Sequence, residues 1–234
     1  MTSPNPICVA LDTPDLAKAR DLAKALAPHV GHMKIGMEFF YAHGARGYEA
    51  VAAQGLPIFL DLKLHDIPNT VASAMKALMQ LEPRPAIVNL HGAGGSDMMR
   101  AAAEAIAGRA KLIAVTILTS LSNADIWAAG FDAARDTSAH AANLAKLAQA
   151  AGLDGVVCSP HDLQGIRAAT GPAFLTVVPG IRPAEGAAHD QKRIATPQAA
   201  MAAGADILVI GRAITQAPDP VAAARKIIDG LRHG

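Results

Sequence analysis

Eight short apolar runs, each followed by a longer segment of helical period, limit what this chain can fold into more than any other feature. The runs cover residues 7–11, 32–35, 58–62, 86–90, 112–118, 155–158, 174–178 and 207–210. They are too short to be helices, and several are rich in Val and Ile, which marks buried strands. Between them, segments such as 16–26, 42–54, 71–81, 98–108 and 139–151 carry apolar residues at three- and four-residue spacing. Lys, Arg, Glu and Gln fill the opposite face, the pattern of amphipathic helices. Thr13, Pro14 and Asp15 read as an N-cap, a first-turn proline and an acid at the positive end of a helix. Thr196 and Pro197 repeat the device, and Gly55, Gly108 and Gly152 fall just past helical runs, where left-handed C-caps are expected.

Repeated strand–helix units leave two architectures, a closed barrel or a doubly wound open sheet. No Gly-x-Gly-x-x-Gly turn follows the first strand, as a dinucleotide fold would usually show. Instead, polar residues and turn formers recur at the C-terminal ends of the strands: Asp12, Lys34, Asp61, Lys63, Asn89, Thr119, Pro179-Gly180 and Gly211-Arg212. Barrel enzymes assemble their sites from that rim. At 234 residues, with no linker or low-complexity segment, the chain is expected to be one α/β domain, a (β/α)8 TIM barrel over residues 1–234.

Several function classes are excluded at this point. A net charge of +1 and 3% aromatic residues give neither the basic stripe nor the stacking platform of a nucleic-acid binder. The two cysteines, Cys8 and Cys158, lie in apolar runs and offer no disulfide framework, so a reducing cytoplasm is the expected compartment. The first six residues lack the basic-then-apolar pattern of a signal peptide. No apolar stretch approaches the ~20 residues of a membrane span. The histidines and carboxylates show no metal-ligand spacing, so no metal site is expected.

The charged residues of the third strand end are harder to explain as scaffolding. Asp61 and Lys63 are two apart on a strand and should share a face. Asp66 follows as the strand gives way to Ile67-Pro68-Asn69-Thr70, and Lys34 should be a near neighbour from the second strand. Together they predict an alternating Lys–Asp–Lys–Asp array in a partly desolvated cleft. A purely structural ion-pair layer is the plainer reading, but desolvation roughly cancels the attraction of buried pairs. A lysine between carboxylates should stay protonated, fitted to donate a proton or to stabilise developing negative charge rather than to act as a nucleophile.

The seventh and eighth strands run into Pro179-Gly180-Ile181-Arg182 and Gly211-Arg212, each pairing a glycine with an arginine. Barrels commonly bind phosphate with these two loops. Glycine admits close approach of backbone N–H groups, and arginine offers a planar fork to phosphate oxygens. Gly211-Arg212 should also open a short helix. Residues 184–192, with Gln191 as a neutral donor, read as a loop able to close over a ligand. His91 and the glycines after it read as a tight turn into a helix near Asp97, with His91 a satisfied structural group. Trp127 is expected to pack a helix after the fifth strand.

These landmarks resemble the bacterial type of orotidine 5′-phosphate decarboxylase nearly end to end. The resemblance is carried by Val9-Ala10-Leu11-Asp12, Met33-Lys34-Ile35-Gly36, the string Asp61-x-Lys63-x-x-Asp66-Ile67-Pro68-Asn69-Thr70, Leu118-Thr119-Ser120, Val178 to Arg182, and Gly211-Arg212. Shorter Asp-x-Lys-x-x-Asp forms occur in related phosphosugar barrels that use Mg2+ and an enediolate, against which the Ile67–Thr70 continuation argues. A barrel that only senses a nucleotide is the rival from another class, disfavoured by the full set of charged positions.

The resemblance implies cofactor-free conversion of orotidine 5′-monophosphate to UMP and CO2, the last step of de novo pyrimidine synthesis. It implies Lys63 as proton donor to the C6 carbanion, Asp61 beside the substrate carboxylate and holding Lys63 charged, and Lys34 and Asp12 on the ribose, completing the charge array. Thr119, with Ser120 or Ser122, would lie near the pyrimidine. Arg182, Gln191, Gly211 and Arg212 would hold the phosphate, and Pro179 would also contact the substrate. Asp66 and Thr70 would complete the site of a partner subunit in a homodimer.

Overall fold

A computed structural model describes residues 5–182 and 195–232. The eight apolar runs form β1 (Ile7–Ala10), β2 (His32–Gly36), β3 (Ile58–Leu64), β4 (Ile87–His91), β5 (Lys111–Val115), β6 (Gly155–Val157), β7 (Leu175–Val178) and β8 (Ile207–Ile210). Each pairs parallel with the next, and β8 pairs with β1, closing a barrel. The helices are α1 (Leu16–Leu26), α2 (Met37–Ala52), α3 (Pro68–Leu78), α4 (Ser96–Ile106), α5 (Asn123–Ala128), α6 (Thr137–Ala150), α7 (Leu163–Thr170), α8 (Pro197–Ala202), α9 (Arg212–Thr215) and α10 (Pro220–Arg232). Among the described residues no helix is long and apolar enough to cross a membrane.

Alternation along each strand divides the core in two. Val9, Ile35, Leu60, Val88 and Leu208 join one apolar cluster with the helix residues Ala19, Ala23, Met75 and Met99. Cys8, Ala10, Phe59, Ile87, Ile113, Val177, Ile207 and Val209 form a second cluster. Two residues further along the strands of that second set stand Asp12, Asp61, Asn89 and Gly211. Parallel strands bring all these positions to one rim, so an apolar floor carries a polar mouth.

Several local expectations need correction. The helix after β1 is capped by Asp15, not Thr13: the Asp15 carboxylate accepts the Lys18 N–H at 3.0 Å. The Thr13 hydroxyl instead accepts the Asp15 N–H at 3.2 Å, so Pro14 lies ahead of the helix. α2 begins at Met37, directly after β2 and ahead of the expected segment 42–54, and is interrupted at Gly44 (φ 59°). β5 ends at Val115 although the apolar run continues to Leu118, which is 37% exposed. Trp127 lies on α5 after the fifth strand but is 40% exposed, its Nε1 donating to the Arg135 carbonyl. By contrast, Thr196 caps α8 with Pro197 in its first turn, and Gly55, Gly108 and Gly152 all have positive φ.

Candidate active site

The site is built on an irregularity in β3. Its register with β4 passes from Leu60 opposite Val88 to Leu64 opposite Leu90. Residues 61–63 are therefore matched by Asn89 alone, and the strand bulges. Within the bulge Lys63 takes φ 52°, one of two non-glycine residues with positive φ among those described. Such backbone costs of order 1–3 kcal/mol and must be held by its surroundings. The Lys63 N–H donates to Asn89 Oδ1 at 2.8 Å, and Lys63 Nζ donates to Asp61 Oδ1 at 2.7 Å. Asp61 and Lys63 thus meet as expected, though through a bulge and not a regular strand.

Lys34 reaches the group from β2, with Nζ 3.0 Å from Asp12 Oδ1 and 3.3 Å from Asp61 Oδ2. The result is a line of alternating charge, Asp12–Lys34–Asp61–Lys63. Its two middle members are nearly buried, with side chains 11% and 10% exposed. Gly36 leaves room for it, since a Cβ there would stand 3.0 Å from Lys34 Nζ. Asp12 therefore completes the line, as the resemblance implied, in the place that strand spacing alone gave to Asp66. Asp66 is exposed, and its Oδ1 accepts the Ile67 N–H at 2.6 Å. β3 ends at Leu64 and the chain turns outward, which carries Asp66 and the exposed Thr70 away from the line.

Burial pushes the Asp61 carboxyl upward, but Lys34, Lys63 and the Asn89 amide outweigh it and hold the group below its ordinary 3.8. Burial pulls Lys34 downward, but Asp61 and Asp12 outweigh it and raise the ammonium above 10.5. Both shifts favour the charged forms. The contribution of Asp61 to stability is therefore full above about pH 3.8 and is lost as pH falls through its lower folded value. That of Lys34 is full below about pH 10.5 and is lost as pH rises through its higher folded value. Urea unfolding should show wild type more stable than Asp61→Asn by a margin that is flat around neutrality and shrinks only in acid. A margin that fell steadily from pH 8 to pH 5 would contradict this pairing.

The line forms one wall of a cavity of about 250 Å³ at the rim. Its floor includes Ala10, Phe59, Val157 and Val209, and Thr119, Pro179, Arg182, Gly211 and Arg212 complete its lining. Arg182 is buried, with Nη1 donating to the Ile181 carbonyl at 2.9 Å. Gly211 stands at the start of α9, the short helix expected there. Ile181 pairs with Ala195, which joins the chain on either side of residues 183–194. Gln191 and the expected closing loop lie outside the described residues.

Ser120 is exposed, whereas Ser122 caps α5, its Oγ donating to Asp125 Oδ2 at 2.6 Å. Neither serine lines the cavity. The tight turn after β4 leads into α4 as expected, but His91 is not a satisfied group. Its Nδ1 is buried without a hydrogen-bond partner among the described residues, and its ring stacks on His65 at 5.4 Å. Asn89 appeared among the strand-end polar residues without a role. Its inward register, two residues beyond Ile87, was the available signal.

A family model described as Orotidine 5'-phosphate decarboxylase / HUMPS family matches residues 5–227. An orotidine 5′-phosphate decarboxylase of Novosphingobium aromaticivorans is 54% identical over 223 residues, covering 95% of this chain and 97% of that protein. One from Thermobifida fusca is 51% identical over 229 residues, covering 97% and 96%. The crystal structure of orotidine 5′-phosphate decarboxylase from Lactobacillus acidophilus superposes with a TM-score of 0.82 at 37% identity, covering 97% of this chain and 99% of that one.

Proposed function

The chain belongs to the Orotidine 5′-phosphate decarboxylase / HUMPS family, and we propose that it converts orotidine 5′-monophosphate to UMP and CO2, the last step of de novo pyrimidine synthesis. The observation that carries the reading is Asp61, buried between the ammonium groups of Lys34 and Lys63 in the cavity that also holds Arg182 and Arg212. An anionic substrate with a phosphate at one end and a carboxylate at the other matches that division.

The bond from C6 to the carboxylate breaks, CO2 leaves, and the electron pair stays on C6. Lys63 stabilises the carbanion and then gives C6 its proton, which it regains from water. The pyrimidine offers no easy electron sink, so the barrier is lowered by charges already in place and not by a cofactor. Asp61 lies beside the departing carboxylate and holds Lys63. Asp12 and Lys34 take the ribose hydroxyls, and Thr119, which lines the cavity, faces the pyrimidine. Arg182, Gln191, Gly211 and Arg212 hold the phosphate, and Pro179 lines the cavity against the substrate. Binding energy from that remote group is then available to close the site and expel water.

The reading includes a homodimer in which Asp66 and Thr70 enter the neighbouring site. The exposure of both, and of Ile67 at 67%, supports a covering partner. It also includes a cytoplasmic setting, in keeping with two cysteines, Cys8 and Cys158, that are both buried. The test is incubation with orotidine 5′-monophosphate and measurement of both products. Equimolar UMP and CO2 are expected; turnover of a sugar phosphate but not of the nucleotide would overturn the proposal.

A further inference from the structure

We propose that Asn89 is a positioning residue for the decarboxylation assigned above: its side-chain amide locks Lys63 into its left-handed backbone and turns Asp61 toward that lysine. The inference rests on the proposed reaction for its kinetic consequence, though not for its geometry. Asn89 is 1% exposed and stands on β4 opposite the bulge. Its two polar atoms face opposite requirements. The Lys63 N–H can only donate, so it fixes Oδ1, which accepts at 2.8 Å. The Asp61 carboxylate can only accept, so it fixes Nδ2, which donates at 2.7 Å. The bulge takes Lys63 out of the regular pairing of β3 with β4, and the amide oxygen takes its N–H in place of a ladder carbonyl.

Two features separate this role from ordinary core hydrogen bonding. Asp61 Oδ1 receives both Asn89 Nδ2 and Lys63 Nζ, each at 2.7 Å, so one amide sets backbone and charge partner of the same lysine. The lysine also occupies backbone that its side chain disfavours, so it has a lower-energy conformation to relax into once released. An active-site group displaced by about 1 Å can cost on the order of 10²-fold in rate.

The experiment combines kinetics with structure, using Asn89→Ala and Asn89→Asp in the full-length chain. Asn89→Ala should lower kcat for orotidine 5′-monophosphate by about 10²-fold with little change in KM, because the phosphate end is untouched. Asn89→Asp keeps the acceptor for Lys63 but sets a second carboxylate against Asp61. Its kcat/KM should rise as pH falls and the introduced carboxyl becomes protonated and able to donate. A packing role alone would give no such new ionisation. A crystal structure of each variant supplies the readout that does not need turnover: in Asn89→Ala, Lys63 should leave positive φ and its Nζ should part from Asp61.

Unchanged Lys63 geometry in that structure would overturn the proposal, as would near-normal kcat in Asn89→Ala or an Asn89→Asp pH profile parallel to wild type. If Asn89→Ala fails to fold, the Asn89→Asp profile and structure decide. If wild type itself does not act on the nucleotide, the proposed reaction fails, and the Lys63 conformation still decides the role of Asn89.

Discussion

Lys63→Ala is expected to keep binding UMP while losing turnover of orotidine 5′-monophosphate by about 10⁴-fold or more. The size follows from two losses at one atom. A positioned proton donor typically contributes about 10²–10⁴-fold, and a fixed charge facing developing charge adds roughly 10²–10³-fold. Binding should survive because Arg182, Gly211 and Arg212 lie elsewhere on the cavity wall. The fold should survive as well, since Asp61 would keep Lys34 at 3.3 Å and the Asn89 amide at 2.7 Å. Stopped assays at high enzyme concentration, with UMP titration alongside, measure both quantities. Turnover within tenfold of wild type would remove Lys63 from the role of proton donor.

Asp66→Asn should also lose most activity, and that loss should be reversible by mixing with Lys63→Ala. In a single chain Asp66 is exposed and accepts the N–H of its own neighbour Ile67, with no ion pair to the charge line. If each site takes Lys63 from one subunit and Asp66 from the other, a hybrid of the two variants carries one intact site and one doubly altered site. Random exchange makes half the dimers hybrid, so about a quarter of wild-type activity should return. The experiment mixes the inactive variants under conditions that allow subunit exchange and follows turnover over time. Absence of rescue, with hybrids demonstrated by tagged subunits, would exclude a shared site.

The barrel and the members of its site were readable because they depend on periodicity. Alternate positions on a strand share a face, so Asp12, Lys34 and Asp61 had to reach the same rim once the strands were recognised. The geometry that joins them was not readable in the same way. No local preference marks a lysine for positive φ; the conformation of Lys63 is imposed by the β3–β4 register and the buried amide of Asn89. Asp66 stands only three positions after Lys63, but the strand ends at Leu64 and spacing no longer fixes direction beyond it. The cap at Asp15 has a similar origin: a short polar side chain chose between adjacent frames that sequence pattern left nearly equal.

The proposed chemistry rests on the charge line Asp12–Lys34–Asp61–Lys63, whose ammonium groups would do what a metal or an electron sink does elsewhere. The most direct test is the rate of UMP formation in excess EDTA compared with the rate in added Mg2+. Equal rates in the two conditions are expected, and a rate that collapses in EDTA and returns with Mg2+ would contradict a charge-driven, metal-free decarboxylation.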